Sequence, residues 1–275
     1  MSVRLSDEDQ RGPWGELLAR EAARSLSRAE ERLGLKLDAA PFVVSIAPVS
    51  AFYEALGRRP HNLAAVALPG QNRVIINRTV YLRSTAPERQ SILIHEFAHL
   101  LLGRGVPGVL PRWLDEGLAM VAAEETSFVF HARLVVAATV GRLIPIAQLG
   151  HWAAPGGLDE ELAYAQSYAL TRFFLERSGG STEQPAPVVR RLAHPEQGRA
   201  LRELLADPGY HRALERAWKE SVQTFWTWVA ALSGGGALWG FATGLFLIAY
   251  WRKRRMARRI EERWGEEEQG PAPPA

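Results

Sequence analysis

The sequence contains no cysteine. That excludes a disulfide framework and any thiolate site, so a bound metal would have to be held by nitrogen and oxygen. Lysine is scarce too: Lys36, Lys219 and Lys253 are the only three among 33 basic residues. Charge of one sign is also missing. The formal net charge is +3, and from Arg252 onward seven Lys/Arg against five Glu supply +2 of it. The remainder is close to neutral and has no basic stripe of the kind nucleic-acid binding needs, so no nucleic-acid partner is expected. Met1 to Pro13 lacks the apolar stretch of a signal peptide. Apolar residues, by contrast, are plentiful, at 47% against 23% charged over 275 residues, which is enough to build a core without staples.

Hydrophobic spacing organises the chain into a few short β-rich runs followed by helices. Trp14 to Leu35 carries Leu17, Leu18, Ala22, Leu26, Ala29 and Leu33 at helical spacing. Pro41 to Ile46 reads as a strand, and Ser50 caps a short helix through Leu56. Leu63 to Leu68 and Arg73 to Asn77 flank Pro69-Gly70-Gln71-Asn72 and read as a hairpin. Thr85-Ala86-Pro87-Glu88 is a capping box with proline in the first turn. It opens a helix to about Leu102 that is apolar on nearly every side, as befits a core helix. Helices then follow over about 112–124, 127–140, 158–177, 187–192, 197–206 and 210–230. The expected fold class is α+β: a small N-terminal sheet, an active-site helix and an α-helical C-terminal lobe, with one C-terminal transmembrane helix.

That last expectation rests on an absence of charge. No charged side chain stands between Glu220 and Arg252, and Leu232 to Trp251 gives 20 uncharged, mostly apolar residues, about a bilayer's span. Arg252-Lys253-Arg254-Arg255 follows at once. The expected organisation is one large domain over 1–230, a transmembrane helix over 232–251, and a basic, then acidic and proline-rich tail over 252–275. Positive-inside reasoning makes this a single-pass protein of a bacterial cell membrane, with the tail cytoplasmic and the large domain outside. With no visible signal peptide, two readings stay open: a start codon further upstream, which is preferred, or a tail-anchored protein with its bulk in the cytoplasm. Gly236, Gly240 and Gly244 form a small-xxx-small face suited to a homodimer of anchors.

His95-Glu96-Phe97-Ala98-His99 decides the chemistry. Histidines at i and i+4 lie one turn apart on one helical face, so both imidazoles can point at one ion, with Glu96 in reach of its water. Burying two imidazoles and a carboxylate in an apolar helix is costly, and a divalent cation compensates all three at once. A catalytic zinc takes three protein ligands and keeps one position open. The third ligand is best sought at Glu116, in Trp113-Leu114-Asp115-Glu116-Gly117-Leu118-Ala119, with sixteen residues between it and His99. Asp115, Glu124, His131 and His151 compete with it. Gly117 is small enough to let two helices approach.

The HEFAH and PRWLDEGLA segments together resemble the gluzincin metallopeptidases, most closely a compact bacterial peptidase MA-like family with a WLxEGLA block. Tyr164-Ala165-Gln166-Ser167-Tyr168-Ala169-Leu170 is similar to that family as well, and the likeness covers about 42–228. The resemblance implies a thermolysin-like core, one zinc ion held by His95, His99 and Glu116, and Glu96 as general base. It also implies an edge strand above the site, expected at Arg73 to Asn77, where an extended peptide can pair. Two departures stand out. No Gly-x-Met-Glu-Asn block appears, which favours an endopeptidase over an aminopeptidase. The aspartate that often follows the third ligand by one turn is Met120, leaving Asp115 as a candidate partner for a ligand histidine.

The implied reaction is peptide hydrolysis. Glu96 takes a proton from water, and a phenol from Tyr164 or Tyr168, with Tyr164 preferred, meets the oxyanion. The alternative is a non-catalytic metal-binding or scaffold module that keeps the peptidase fold at the membrane. An intramembrane protease is excluded by the motif helix, whose apolar run between Gln90 and Gly103 is too short to span.

Overall fold

The computed structural model describes residues 3–5, 14–36, 41–56, 63–125, 128–149, 158–222 and 240–251. The chain divides into two compact units, residues 1–219 and 220–275. The first is mostly helical with a small mixed sheet. Its strands are β1 (Val3–Leu5), β2 (Phe42–Ala47), β3 (Ala65–Leu68) and β4 (Arg73–Asn77), in the order β1-β2-β4-β3. β1 and β4 each pair parallel with β2. β3 pairs antiparallel with β4, closing the hairpin read from the Pro69–Gln71 turn.

This order corrects the edge strand expected at Arg73 to Asn77. β4 is covered on both sides, and among the described residues β3 is the outer strand on that side. The backbone of β3 shows which of its groups stay open. Asn77 donates its N–H to Ala64 O at 2.9 Å, which makes 64 and 77 a hydrogen-bonded pair. Antiparallel pairs alternate, so Val66 and Leu68 face β4 while Ala65 and Ala67 direct their backbone groups to the free edge.

The helices of the first unit are α1 (Gly15–Leu33), α2 (Val49–Leu56), α3 (Arg78–Arg83), α4 (Ala86–Gly105), α5 (Arg112–Ala122), α6 (Phe128–Thr139), α7 (Ile146–Leu149), α8 (Leu158–Arg177), α9 (Ala186–Ala193) and α10 (Arg199–Ala206). Residues 208–222 are also helical. α1 buries the stripe Leu18, Ala22, Leu26, Ala29 and Leu33, as its periodicity requires. α4 starts at the capping box: Glu88 Oε2 accepts from Thr85 N at 2.7 Å while the Thr85 side chain accepts from Glu88 N. Leu93, Phe97, Leu100 and Leu101 are fully buried, and Phe97 stacks on Phe42 of β2 with ring centroids 6.1 Å apart. The central helix is thus pinned between α1 and the sheet.

A polar clamp fixes the start of α4. Arg89 gives Glu21 bonds of 2.6 to 3.1 Å, and the Tyr81 hydroxyl donates to the same carboxylate. Burial pushes the Glu21 carboxyl up, but Arg89 and Tyr81 outweigh it and hold it below 4.5. A depressed carboxylate stabilises the fold above its ordinary pKa and loses that contribution as pH falls. Glu21→Gln is expected to cost about 1–3 kcal/mol at neutral pH by leaving Arg89 imperfectly paired. In denaturant titrations the gap to wild type should close as pH drops below 4.5; a gap that stays constant across pH refutes the clamp.

α5 crosses α8 closely. A Cβ built on Gly117 would lie 2.0 Å from Thr171 Oγ1 and 2.6 Å from Ser167 O. The close approach expected of Gly117 is therefore to α8, not to the histidine helix. Trp113 meets Phe174 edge-on, and Thr171 donates to Trp113 O at 3.3 Å.

Within the second unit, the described residues are 220–222 and a helix over 240–251. Among the described residues no helix is long and apolar enough to cross a membrane. Twelve helical residues reach about 18 Å against a hydrocarbon core of about 30 Å. The transmembrane helix expected over Leu232 to Trp251, and the single-pass placement built on it, are corrected accordingly. The described residues are mostly helical with a small mixed sheet, and none of their helices is a membrane span. Residues 232–239 with Gly236, the tail 252–275 and His151 lie outside the described residues, as does the His131 side chain.

Candidate active site

The 3.6-residue repeat places His95 and His99 on one face of α4, and their rings meet edge-on with centroids 4.9 Å apart. The two Nε2 atoms are 3.1 Å apart. α5 brings Glu116 against them, with Oε2 at 3.6 Å from each Nε2. These three groups form a cluster able to hold a metal ion. A tetrahedral ion with bonds of about 2.0–2.1 Å separates its ligand atoms by about 3.3 Å. The observed 3.1, 3.6 and 3.6 Å bracket that edge, and two imidazoles with one carboxylate are donors a borderline-soft divalent ion accepts. The residues fit the group.

Carboxylates on the far side orient the two rings. Asp115 Oδ2 lies 2.8 Å from His99 Nδ1, and Glu125 Oε1 lies 3.1 Å from His95 Nδ1. An ionised carboxylate only accepts, so each Nδ1 carries the proton and each Nε2 is turned toward Glu116. Arg112, one turn before Glu116, takes the other oxygen, with Nε 3.4 Å from Oε1. That pairing leaves Oε2 for the histidines.

The charges of the cluster support one another. Burial pushes His95 down, but Glu125 and Glu116 outweigh it and hold the imidazole at about 10. His99 is raised for the same kind of reason: Asp115 and Glu116 overcome burial. Burial would raise Glu116, yet bonds to His95 and His99 bring its carboxyl well below the usual range. Glu96 is buried, and burial raises its carboxyl despite the nearby histidines. The Ala67 N–H on the open edge of β3 donates to it.

Of the two candidate tyrosines, only Tyr164 has Glu116, Glu96 and Arg112 in its electrostatic surroundings. Burial first, then Glu116, pushes its phenol above the ordinary value. Tyr168 has Arg172, Glu183 and Arg32 around it instead. Among the competing ligands, Asp115 is taken by His99, and Glu124 pairs with Arg28 at 3.0 Å. Arg112 and Glu125 were missed by sequence reasoning. The i, i+4 spacing of Arg112 and Glu116 could have flagged the first, whereas Glu125 stands beyond the end of its helix and left no periodic signal.

Neither a curated protein nor a solved structure matches the chain. Residues 28–223, well over half of the 275, match the Peptidase MA superfamily across both the histidine helix and the carboxylate helix. On that match the chain belongs to the Peptidase MA superfamily and is a peptidase.

Proposed function

We propose that this peptidase is a zinc-dependent endopeptidase of the gluzincin type. The observation that carries the reading is the convergence of His95 Nε2, His99 Nε2 and Glu116 Oε2 within 3.6 Å of one another. Zinc bound there supplies a Lewis acid that acidifies water and polarises a carbonyl. Glu96 accepts the proton of the attacking water and passes it to the departing amine. Tyr164 donates a hydrogen bond to the oxyanion as it forms. The outward backbone groups of Ala65 and the outward carbonyl of Ala67 on β3 take the extended peptide as an added strand, beside the Glu96 carboxylate that the Ala67 N–H holds. A chain running along an open edge extends past the site in both directions, which favours internal cleavage.

The test is zinc titration of the full chain, followed by digestion of an unfolded protein substrate. The expected result is one zinc per chain, with cleavage abolished by a chelator and restored by zinc. His95→Ala, His99→Ala and Glu116→Ala should each fail to retain the ion. No uptake by the wild type overturns the metal reading; uptake without cleavage of any unfolded substrate points to a scaffold that keeps the site.

A further inference from the structure

The residue one turn beyond Glu116, from which an acidic partner for His95 would most simply come, is Met120, which is buried and apolar. His95 Nδ1 nevertheless has a carboxylate on it at 3.1 Å, from Glu125. The backbone at the end of α5 explains how Glu125 reaches back. Glu125 N donates to Met120 O at 3.0 Å and Glu124 N to Val121 O at 3.3 Å, the paired bonds of a Schellman closure. This closure needs a left-handed residue, and Glu124 takes that role with φ 54°.

Glycine usually occupies such a position, because any side chain there is strained. At Glu124 the side chain is held from α1. Arg28 Nη2 donates to Glu124 Oε1 at 3.0 Å, and Arg32 Nε lies 3.6 Å from the same oxygen. Arg32 also caps the helix end through Nη2 to Val121 O at 3.1 Å. Two arginines one turn apart on α1 thus secure a reversed turn whose next residue lands on a histidine of the cluster.

We infer that Glu125 is a positioning residue for the metal centre. Its carboxylate accepts the His95 Nδ1–H, fixes the ring's tautomer and direction, and keeps Nε2 aimed at the point where His99 and Glu116 converge. The left-handed turn at Glu124, clamped by Arg28 and Arg32, is the device that delivers it. The inference rests on the zinc reading above, and the experiment separates the two.

Zinc affinity is measured by chelator competition on full-length wild type, Glu125→Ala and Glu125→Gln. The metal-free melting temperature and the visible spectrum of the cobalt-substituted proteins are recorded beside it. Glu125→Ala is expected to weaken zinc binding about 10–100-fold and to alter the cobalt spectrum. Its metal-free melting temperature should stay within about 2 °C of wild type, since Glu125 is partly exposed and outside the core. Glu125→Gln, whose amide oxygen accepts the same hydrogen bond, should recover much of the affinity and the wild-type spectrum. Wild type that binds zinc while Glu125→Ala binds it as tightly, with an unchanged spectrum, overturns this inference alone. Wild type that binds no zinc overturns the metal reading and this inference together. Should Glu125→Ala fail to fold, Glu125→Gln decides: wild-type affinity and spectrum support the hydrogen bond, and a loss of ten-fold or more refutes it.

Discussion

Glu96→Gln retains one zinc per chain and loses peptide hydrolysis by a factor of about 10²–10⁴, the contribution of a positioned general base. The amide has the shape of the carboxylate and can take no proton, so the substitution isolates proton transfer from packing. Glu96 contributes none of the three converging ligand atoms, which belong to His95, His99 and Glu116. Metal content is therefore expected to hold while rate collapses. The Ala67 N–H that meets the carboxylate can donate equally to the amide oxygen, so the fold around the site is retained. Initial rates on an unfolded substrate and metal analysis of the same preparations give both numbers. A variant that hydrolyses within a factor of ten of wild type removes Glu96 from the mechanism, leaving the metal site untouched.

Gly117→Ala is expected to be among the most destabilising single-methyl changes in the chain, and Gly117→Val more so. The new Cβ would fall 2.0 Å from Thr171 Oγ1, and, less forgivingly, 2.6 Å from the Ser167 carbonyl. A side-chain tip can rotate away; a backbone oxygen in the middle of α8 cannot. Helices α5 and α8 must separate, prising Trp113 from Phe174. Overpacking of this kind costs about 1–3 kcal/mol and more when backbone must move. At about 2–4 °C per kcal/mol for a chain of this size, the expected fall in melting temperature is about 2–12 °C for Ala. Because Gly117 is adjacent to Glu116, weaker zinc binding should accompany the fall. A melting temperature unchanged in Gly117→Ala would refute the close crossing.

The parts of this molecule that could be read beforehand are those encoded locally. The capping box at Thr85, the apolar circumference of α4 and the i, i+4 histidines each need only a few neighbouring residues to specify them, and α8 spans Leu158–Arg177, the stretch expected to be helical. What depended on distant pairings was not legible. β1 has three residues, too few for a pattern, and its pairing with β2 is parallel. β4 lies inside the sheet because β2 takes its second side, a crossover that no feature of Arg73 to Asn77 announces. The partner of Gly117 proved to be α8, and the orienting carboxylate on His95 depends on a reversed turn held by arginines about ninety residues earlier. The apolar run toward Trp251 was read as one long span from its lack of charge, whereas its described helix covers only 240–251.

The margin of β3, outermost among the described strands, carries a risk as well as a use. A strand left open for incoming chains is open to sister molecules too, and edge-to-edge joining is a common route to aggregates. Here the margin is four residues long and ends at Pro69, which has no N–H to extend a ladder. Such a short stub gives a second copy little to grip. Lengthening β3 to widen substrate reach would accordingly trade colloidal stability for binding, and solubility at high concentration would be the first property to suffer.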